Sequence, residues 1–167
     1  MNVIMGVDPG LSGGVALVSL DASHAVGIPM PVIKSGKRRD LDGRALAHWI
    51  GAAIVGGEAH VCLVVVEKVH SMPKQGMAST FAFGVGFGRV LGVIEALDLP
   101  LEQVAPQLWK KAILAGTDLS KDAAVAYCMS RFPGIAMPKK GASRHGIAEA
   151  ACLAEFGRRL VLGRPGG

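Results

Sequence analysis

Acidic residues are scarce in this sequence: 13 Asp and Glu among 167 residues, against 18 Lys and Arg, giving a formal net charge of +5. That balance permits an anionic partner without requiring one. Basic residues gather at Lys34–Arg39, Lys110–Lys111, Lys139–Arg144 and Arg158–Arg164. Such patches either follow a phosphate backbone across one face or are ordinary solvated loops. Cysteine is also sparse. Cys62, Cys128 and Cys152 are odd in number, far apart and set among apolar residues, a pattern that points to buried reduced thiols and a cytoplasmic protein rather than a disulfide framework or a zinc site. No apolar run reaches the roughly 18 residues of a membrane span. The start, MNVIMGVDPG, lacks the basic residues and cleavage site of a signal peptide. There is no repeat, linker or composition shift, and half the chain is hydrophobic, which argues against disorder. The expectation is one domain over residues 1–167, with a frayed tail from about residue 163.

What is present reads as alternating elements. VIMGVD is an apolar, β-branched run stopped by Pro9-Gly10, and GGVALVSL follows after a turn short enough for antiparallel pairing. AVGIPMP is a weaker third strand whose prolines suit an edge. A helix is predicted from Asp42, its N-cap, to Val55. VCLVVVEKV is the clearest strand, apolar enough to be buried on both faces. After a loop at Ser71–Ala78, Ser79 or Thr80 should cap a long helix to Leu97, rich in glycine at 84, 86, 88 and 92. Glycine costs a helix roughly 1 kcal/mol each relative to alanine, so their number points to close approach by another helix or by nucleic acid. A short strand at Leu101–Ala105 and helices from Pro106, from Ser120 to Phe132 and from Arg144 to Leu162 follow. The sum is an α/β domain with a mixed sheet.

Two of the few carboxylates stand apart. Asp8 ends the first apolar strand and Glu67 ends the central one. Stripping a carboxylate of water costs several kcal/mol unless it is paired or bound to a cation. Singly, each also fits a strand that has reached the surface. Together, on neighbouring strands, they would repel each other, and a divalent cation resolves that conflict. Oxygen-only ligands select hard ions, Mg²⁺ or Mn²⁺. Downstream, RHGIAEAA places His145 and Glu149 four apart on one helix face amid small apolar residues. They read either as surface polarity or as partners for the two strand-end carboxylates.

The blocks GVDPGLSGGVAL, VVVEKVHSMPKQGMASTFAFGVGFGRVLGVIEAL, PQLWKKAI and HGIAEAACLAEFG resemble the RuvC-like Holliday junction resolvases. The likeness is greatest to their phage and prophage branch, within the ribonuclease H-like superfamily. The resemblance spans Val3 to about Arg159. It implies a ribonuclease H-like fold: a five-stranded mixed sheet, three N-terminal antiparallel strands and then parallel ones, flanked by helices. It also implies an endonuclease that resolves four-way DNA junctions by paired phosphodiester hydrolysis. Asp8, Glu67 and Glu149 match the family's carboxylates, which would hold two Mg²⁺ or Mn²⁺ ions. His145 stands where the family commonly has aspartate, as a fourth ligand or a proton carrier. Lys111, with Lys110 and Lys121, matches lysines near the scissile phosphate, although a solvated helix start also accounts for each.

The same resemblance implies a homodimer, because a junction of approximate two-fold symmetry needs two matched cuts. The glycine-rich helix is the candidate interface, unless it packs on its own sheet. Lys74, Lys139, Lys140 and Arg144 are candidate DNA contacts. Phe81 or Met77 is a candidate wedge at the branch point, with core packing as the other reading of Phe81. Two alternatives stay open: a broader nuclease for forks and flaps, and a junction-binding protein without catalysis. Intact Asp8, Glu67 and Glu149 argue against the second.

Overall fold

The computed structural model describes residues 1–36, 38–55, 59–68 and 76–163. The expected Lys74 contact, most of the Ser71–Ala78 loop and the end of the tail lie outside them. Five strands form one sheet: β1 (Asn2–Asp8), β2 (Gly14–Ser19), β3 (Ala25–Pro29), β6 (His60–Glu67) and β7 (Leu101–Val104), in the order β3-β2-β1-β6-β7. β1, β2 and β3 pair antiparallel, while β6 lies parallel to β1 and β7 parallel to β6. This is the mixed ribonuclease H-like sheet expected from the sequence, with β3 on an edge.

Side-chain alternation divides the core in two. Val3, Met5, Val7, Val64 and Val66 face one side, where α1 (Gly43–Val55) and α2 (Met77–Ala96) contribute Leu46, Ile50, Val90 and Ile94. Ile4, Ala16, Val18 and Val65 face the other, under α3 (Pro106–Ile113), α4 (Lys121–Arg131) and α5 (Ala142–Val161). α5 is the helix that organises this second face. Gly146 through Gly157 are all buried, so it is a core helix with almost no solvent face.

Two backbone contacts set α5 on the sheet. A Cβ at Gly6 would collide with the carbonyl oxygen of Ala150. Gly13 and Gly146 touch backbone to backbone as an isolated bridge. Only glycine allows approach this close. At its far end α5 carries Glu155, buried and bonded to Arg158 at 2.6 Å and Arg159 at 3.2 Å. Arg159 also donates to the Tyr127 hydroxyl at 3.1 Å.

Two details depart from the sequence reading. Between the third strand and the first helix, where no strand was expected, β4 (Val32–Ser35) and β5 (Arg38–Leu41) form an antiparallel pair. It is tied down by Arg39 to the Leu11 carbonyl at 3.0 Å and by Arg89 to the Leu41 carbonyl at 2.9 Å. α2 begins at Met77, with Gly76 rather than Ser79 or Thr80 at the N-cap and no side-chain cap bond. Met77 and Ala78 are competent helix formers, so the helix extends a turn earlier. α2 is also long and apolar enough to cross a membrane by length and composition alone, although Arg89 interrupts its apolar run. Other helix starts agree: Asp42 accepts from Ala45 N–H at 3.0 Å and Ser120 from Ala123 N–H at 3.1 Å.

Candidate active site

Asp8 and Glu67 reach the same place because their strands are neighbours in register. Val7 pairs with Val66 across the parallel β1–β6 ladder, so the next residue on each strand leaves the sheet at the same level. Alternation turns both towards α5, the face of Ile4 and Val65. Glu149 comes from α5 one residue before Ala150, which rests on Gly6. It is 6% exposed.

The electrostatics record their proximity. Burial pushes the Asp8 carboxyl from 3.8 up to about 7, and the charges of Glu149 and Glu67 add to the rise. The Gly10 N–H, 3.2 Å from Asp8 Oδ1, and the charge of Lys121 work against it. Glu67 is also raised, by burial first and then by Glu149. The Trp109 indole, with Lys110 and Lys121, opposes that shift. Among the described residues, no three His, Cys, Asp or Glu side chains are gathered closely enough to enclose an ion as they stand. The donor chemistry nonetheless fits a hard divalent cation: carboxylate oxygens only, mutually repelling, in a partly desolvated place.

α3 places two further residues here. Trp109, wholly buried, donates its indole N–H to Glu67 Oε2 at 2.8 Å. Lys110 Nζ lies 3.3 Å from Glu149 Oε1 and 5.3 Å from the Trp109 ring centroid. Of the two α3 lysines expected near the scissile phosphate, Lys110 is therefore the one beside Glu149. Lys111 is exposed. Adjacent helical residues point about 100° apart, so the two leave α3 in different directions. Trp109 was not among the sequence candidates. Its signal was the buried spacing of Trp109 and Ile113 in a helix that starts just after β7.

His145 meets a different carboxylate. Its Nε2 lies 3.2 Å from Asp122 Oδ1, on α4. Asp122 and His145 line a shallow cavity of about 430 Å³ with Met129, Lys139, Lys140 and Arg144. Arg144 donates to the Lys139 carbonyl and lies 3.0 Å from Met129 Sδ. Lys121, exposed at the start of α4, is near enough to lower the proton affinity of Asp8 and Glu67. Phe81, on the far side of the sheet, is 73% exposed, which excludes core packing within this chain. Cys128 and Cys152 are buried free thiols and Cys62 is partly buried. Burial pushes the Cys128 thiol up to about 12, leaving it inert as a nucleophile.

No family model and no curated protein matches this chain. Solved structures do. The chain is similar to Thermus thermophilus RuvC, at 18% identity and a TM-score of 0.57 over 97% of each chain. It is likewise similar to T. thermophilus RuvC in complex with a Holliday junction substrate, at 18% identity and a TM-score of 0.60 over 98% of each chain. The chain thus has the RuvC-like fold, along essentially its whole length.

Proposed function

We propose that this protein is a divalent-metal-dependent endonuclease that resolves four-way DNA junctions by phosphodiester hydrolysis. The observation that carries the reading is the meeting of Asp8, Glu67 and Glu149 from β1, β6 and α5, with Asp8 raised to about 7 partly by the other two. The RuvC-like fold supports it, and the sequence resemblance to the phage branch is consistent with it. Gathering three mutually repelling carboxylates in a partly desolvated place is costly, and a cation site is the function that accounts for the cost.

Asp8, Glu67 and Glu149 would hold Mg²⁺ or Mn²⁺, two ions in the family pattern. When bound, such ions lower the pKa of the attacking water and neutralise charge at the leaving oxygen. The chain's own groups orient the carboxylates and the substrate. Lys110 neutralises Glu149 and is near enough to favour the ionised form of Glu67. Lys121, close to Asp8 and Glu67 by its electrostatic effect, is in place to meet a phosphate oxygen. His145, one turn before Glu149 and oriented by Asp122, is better suited to carry a proton than to bind an ion directly. Lys111, Lys139, Lys140 and Arg144 extend the basic surface for DNA strands, and Lys74 remains a candidate contact on sequence alone.

Two cuts require two sites, and α2 is the face a homodimer would use. Only Val90 and Ile94 of α2 are buried, Met77 and Phe81 are 90% and 73% exposed, and Gly84, Gly88 and Gly92 have open space above them. A cytoplasmic setting follows from a DNA substrate and reduced thiols.

The test is cleavage of a synthetic four-way junction, a Y-fork and a plain duplex with Mg²⁺ or Mn²⁺. Selective, paired cutting of the junction is expected, and Glu67→Gln should bind it without cutting. Equal cutting of forks would replace the reading with a broader branched-DNA nuclease. No cutting of any branched substrate would overturn it.

A further inference from the structure

Trp109 is held more firmly than packing alone requires. Glu67 closes β6 opposite Val104, the last residue of β7, and Lys68 N–H bonds the Val104 carbonyl at 2.8 Å. Only Ala105 separates β7 from α3, which starts on Pro106. One turn later Trp109 and Ile113 bury themselves in the core beneath α5, and the indole N–H meets Glu67 Oε2 at 2.8 Å. An indole N–H is a donor only and its ring is fixed by packing, so it cannot turn to another acceptor. A hydrogen bond to a charged oxygen is among the stronger kinds. The neighbouring Lys110 holds one oxygen of Glu149, Oε1, at 3.3 Å. Consecutive residues of one short helix therefore each engage a single oxygen of a different carboxylate. No described residue engages Glu67 Oε1.

We propose that Trp109 is a positioning residue that fixes Glu67 as a one-oxygen ligand and thereby biases the site towards small octahedral cations over Ca²⁺. This rests on the reading of the three carboxylates as a divalent-cation site. Mg²⁺ binds one or two carboxylates with near-ideal octahedral geometry, whereas Ca²⁺ takes six to eight oxygens and readily accepts a carboxylate through both. With Oε2 already accepting the indole N–H and its orientation set by it, Glu67 presents Oε1 as its freer oxygen and two-point chelation is disfavoured. Removing the N–H returns the second oxygen and favours the larger ion.

The experiment is calorimetric titration of the full chain with MgCl₂, MnCl₂ and CaCl₂, in wild type, Trp109→Phe, and a variant carrying benzothienylalanine at position 109. The last keeps the shape of tryptophan and replaces its N–H with sulfur, so it reports on the donor even where Trp109→Phe fails to fold. Both variants should shift the ratio of Ca²⁺ to Mn²⁺ affinity towards Ca²⁺ by on the order of tenfold, as loss of one charged hydrogen bond implies. In a Trp49→Phe background, Mg²⁺ should also change the emission of Trp109, whose acceptor then shares its charge with the ion. An unchanged affinity ratio in the benzothienyl variant overturns the proposal, including where Trp109→Phe alone shifts it, since packing would then be the cause. Wild type that binds none of the three ions overturns the cation-site reading itself, and this proposal with it. Binding with indifferent selectivity overturns only the role of Trp109.

Discussion

In protein stripped of divalent ions by EDTA, Asp8→Asn is expected to raise stability at pH 8 and to leave it nearly unchanged near pH 3. The folded-state pKa of Asp8 lies at about 7 and its ordinary value at 3.8. Below 3.8 both folded and unfolded chains keep the proton, so the site costs nothing extra. Between 3.8 and about 7 the unfolded chain ionises while the folded one does not, and stability falls by about 1.4 kcal/mol per pH unit. Above 7 both are ionised and the accumulated cost is constant, on the order of 4 kcal/mol. Asparagine is neutral throughout, and its side-chain oxygen can still accept the Gly10 N–H that Asp8 Oδ1 receives at 3.2 Å. Urea unfolding followed by circular dichroism is the assay. A gap of 4 kcal/mol corresponds to a midpoint shift of more than about 1 M at pH 8 for a typical small-protein slope, shrinking steadily towards pH 4. Adding Mg²⁺ should then stabilise wild type preferentially, by about 2.7 kcal/mol at a hundred times its dissociation constant. A mutant no more stable than wild type at pH 8 in EDTA, or a difference independent of pH, would refute the reasoning.

Other consequences can be checked in parallel. Glu155→Ala should destabilise the fold by about 3–5 kcal/mol, because it leaves Arg158 and Arg159 without their shared carboxylate; chemical denaturation measures it. Burial would raise the Glu155 pKa, but the hydrogen bonds of Arg158 and Arg159, with the charges of Arg158 and Arg131, outweigh it and hold it low. Its stabilisation is therefore complete above 4.5 and lost as pH falls through the lowered value, so the wild-type advantage over Glu155→Gln should fade in acid. Gly6→Ala should cost about 1–3 kcal/mol or more through overpacking against Ala150 and weaken Mn²⁺ binding as α5 lifts; thermal melts and calorimetry read both. Phe81→Asp on the open face of α2 should reduce the mass seen by sedimentation equilibrium from dimer to monomer while leaving the circular dichroism spectrum unchanged.

The parts of the site that the sequence disclosed are those where local pattern and chemistry conflict. Asp8 and Glu67 were legible because an apolar run ending in a carboxylate costs free energy, and Glu149 because helical spacing set it among small residues. What stayed hidden depends on rotation or on distance. Nothing in PQLWKKAI tells which lysine turns inward until the orientation of α3 is known, so Lys110 and Lys111 could not be told apart. The partner of His145 lies 23 residues away on another helix. The β4–β5 hairpin carries Lys34, Arg38 and Arg39 where an alternating apolar pattern would have announced strands. The apolar character of α2 was visible, but the openness of its glycines was a tertiary fact.

The contact between Gly13 and Gly146 gives the site a one-sided mutational landscape. Both residues are already the smallest the genetic code offers, and their backbones touch. A side chain at Gly146 would enter the backbone of Ser12 and Gly13, and one at Gly13 would enter Asp8 itself, at its carbonyl and its carboxyl carbon. The first lifts the start of α5, and Glu149 with it, off the β1–β2 turn; the second displaces Asp8 from its own place. The spacing of Asp8 and Glu149 therefore tolerates no added volume at either position, and for two different reasons.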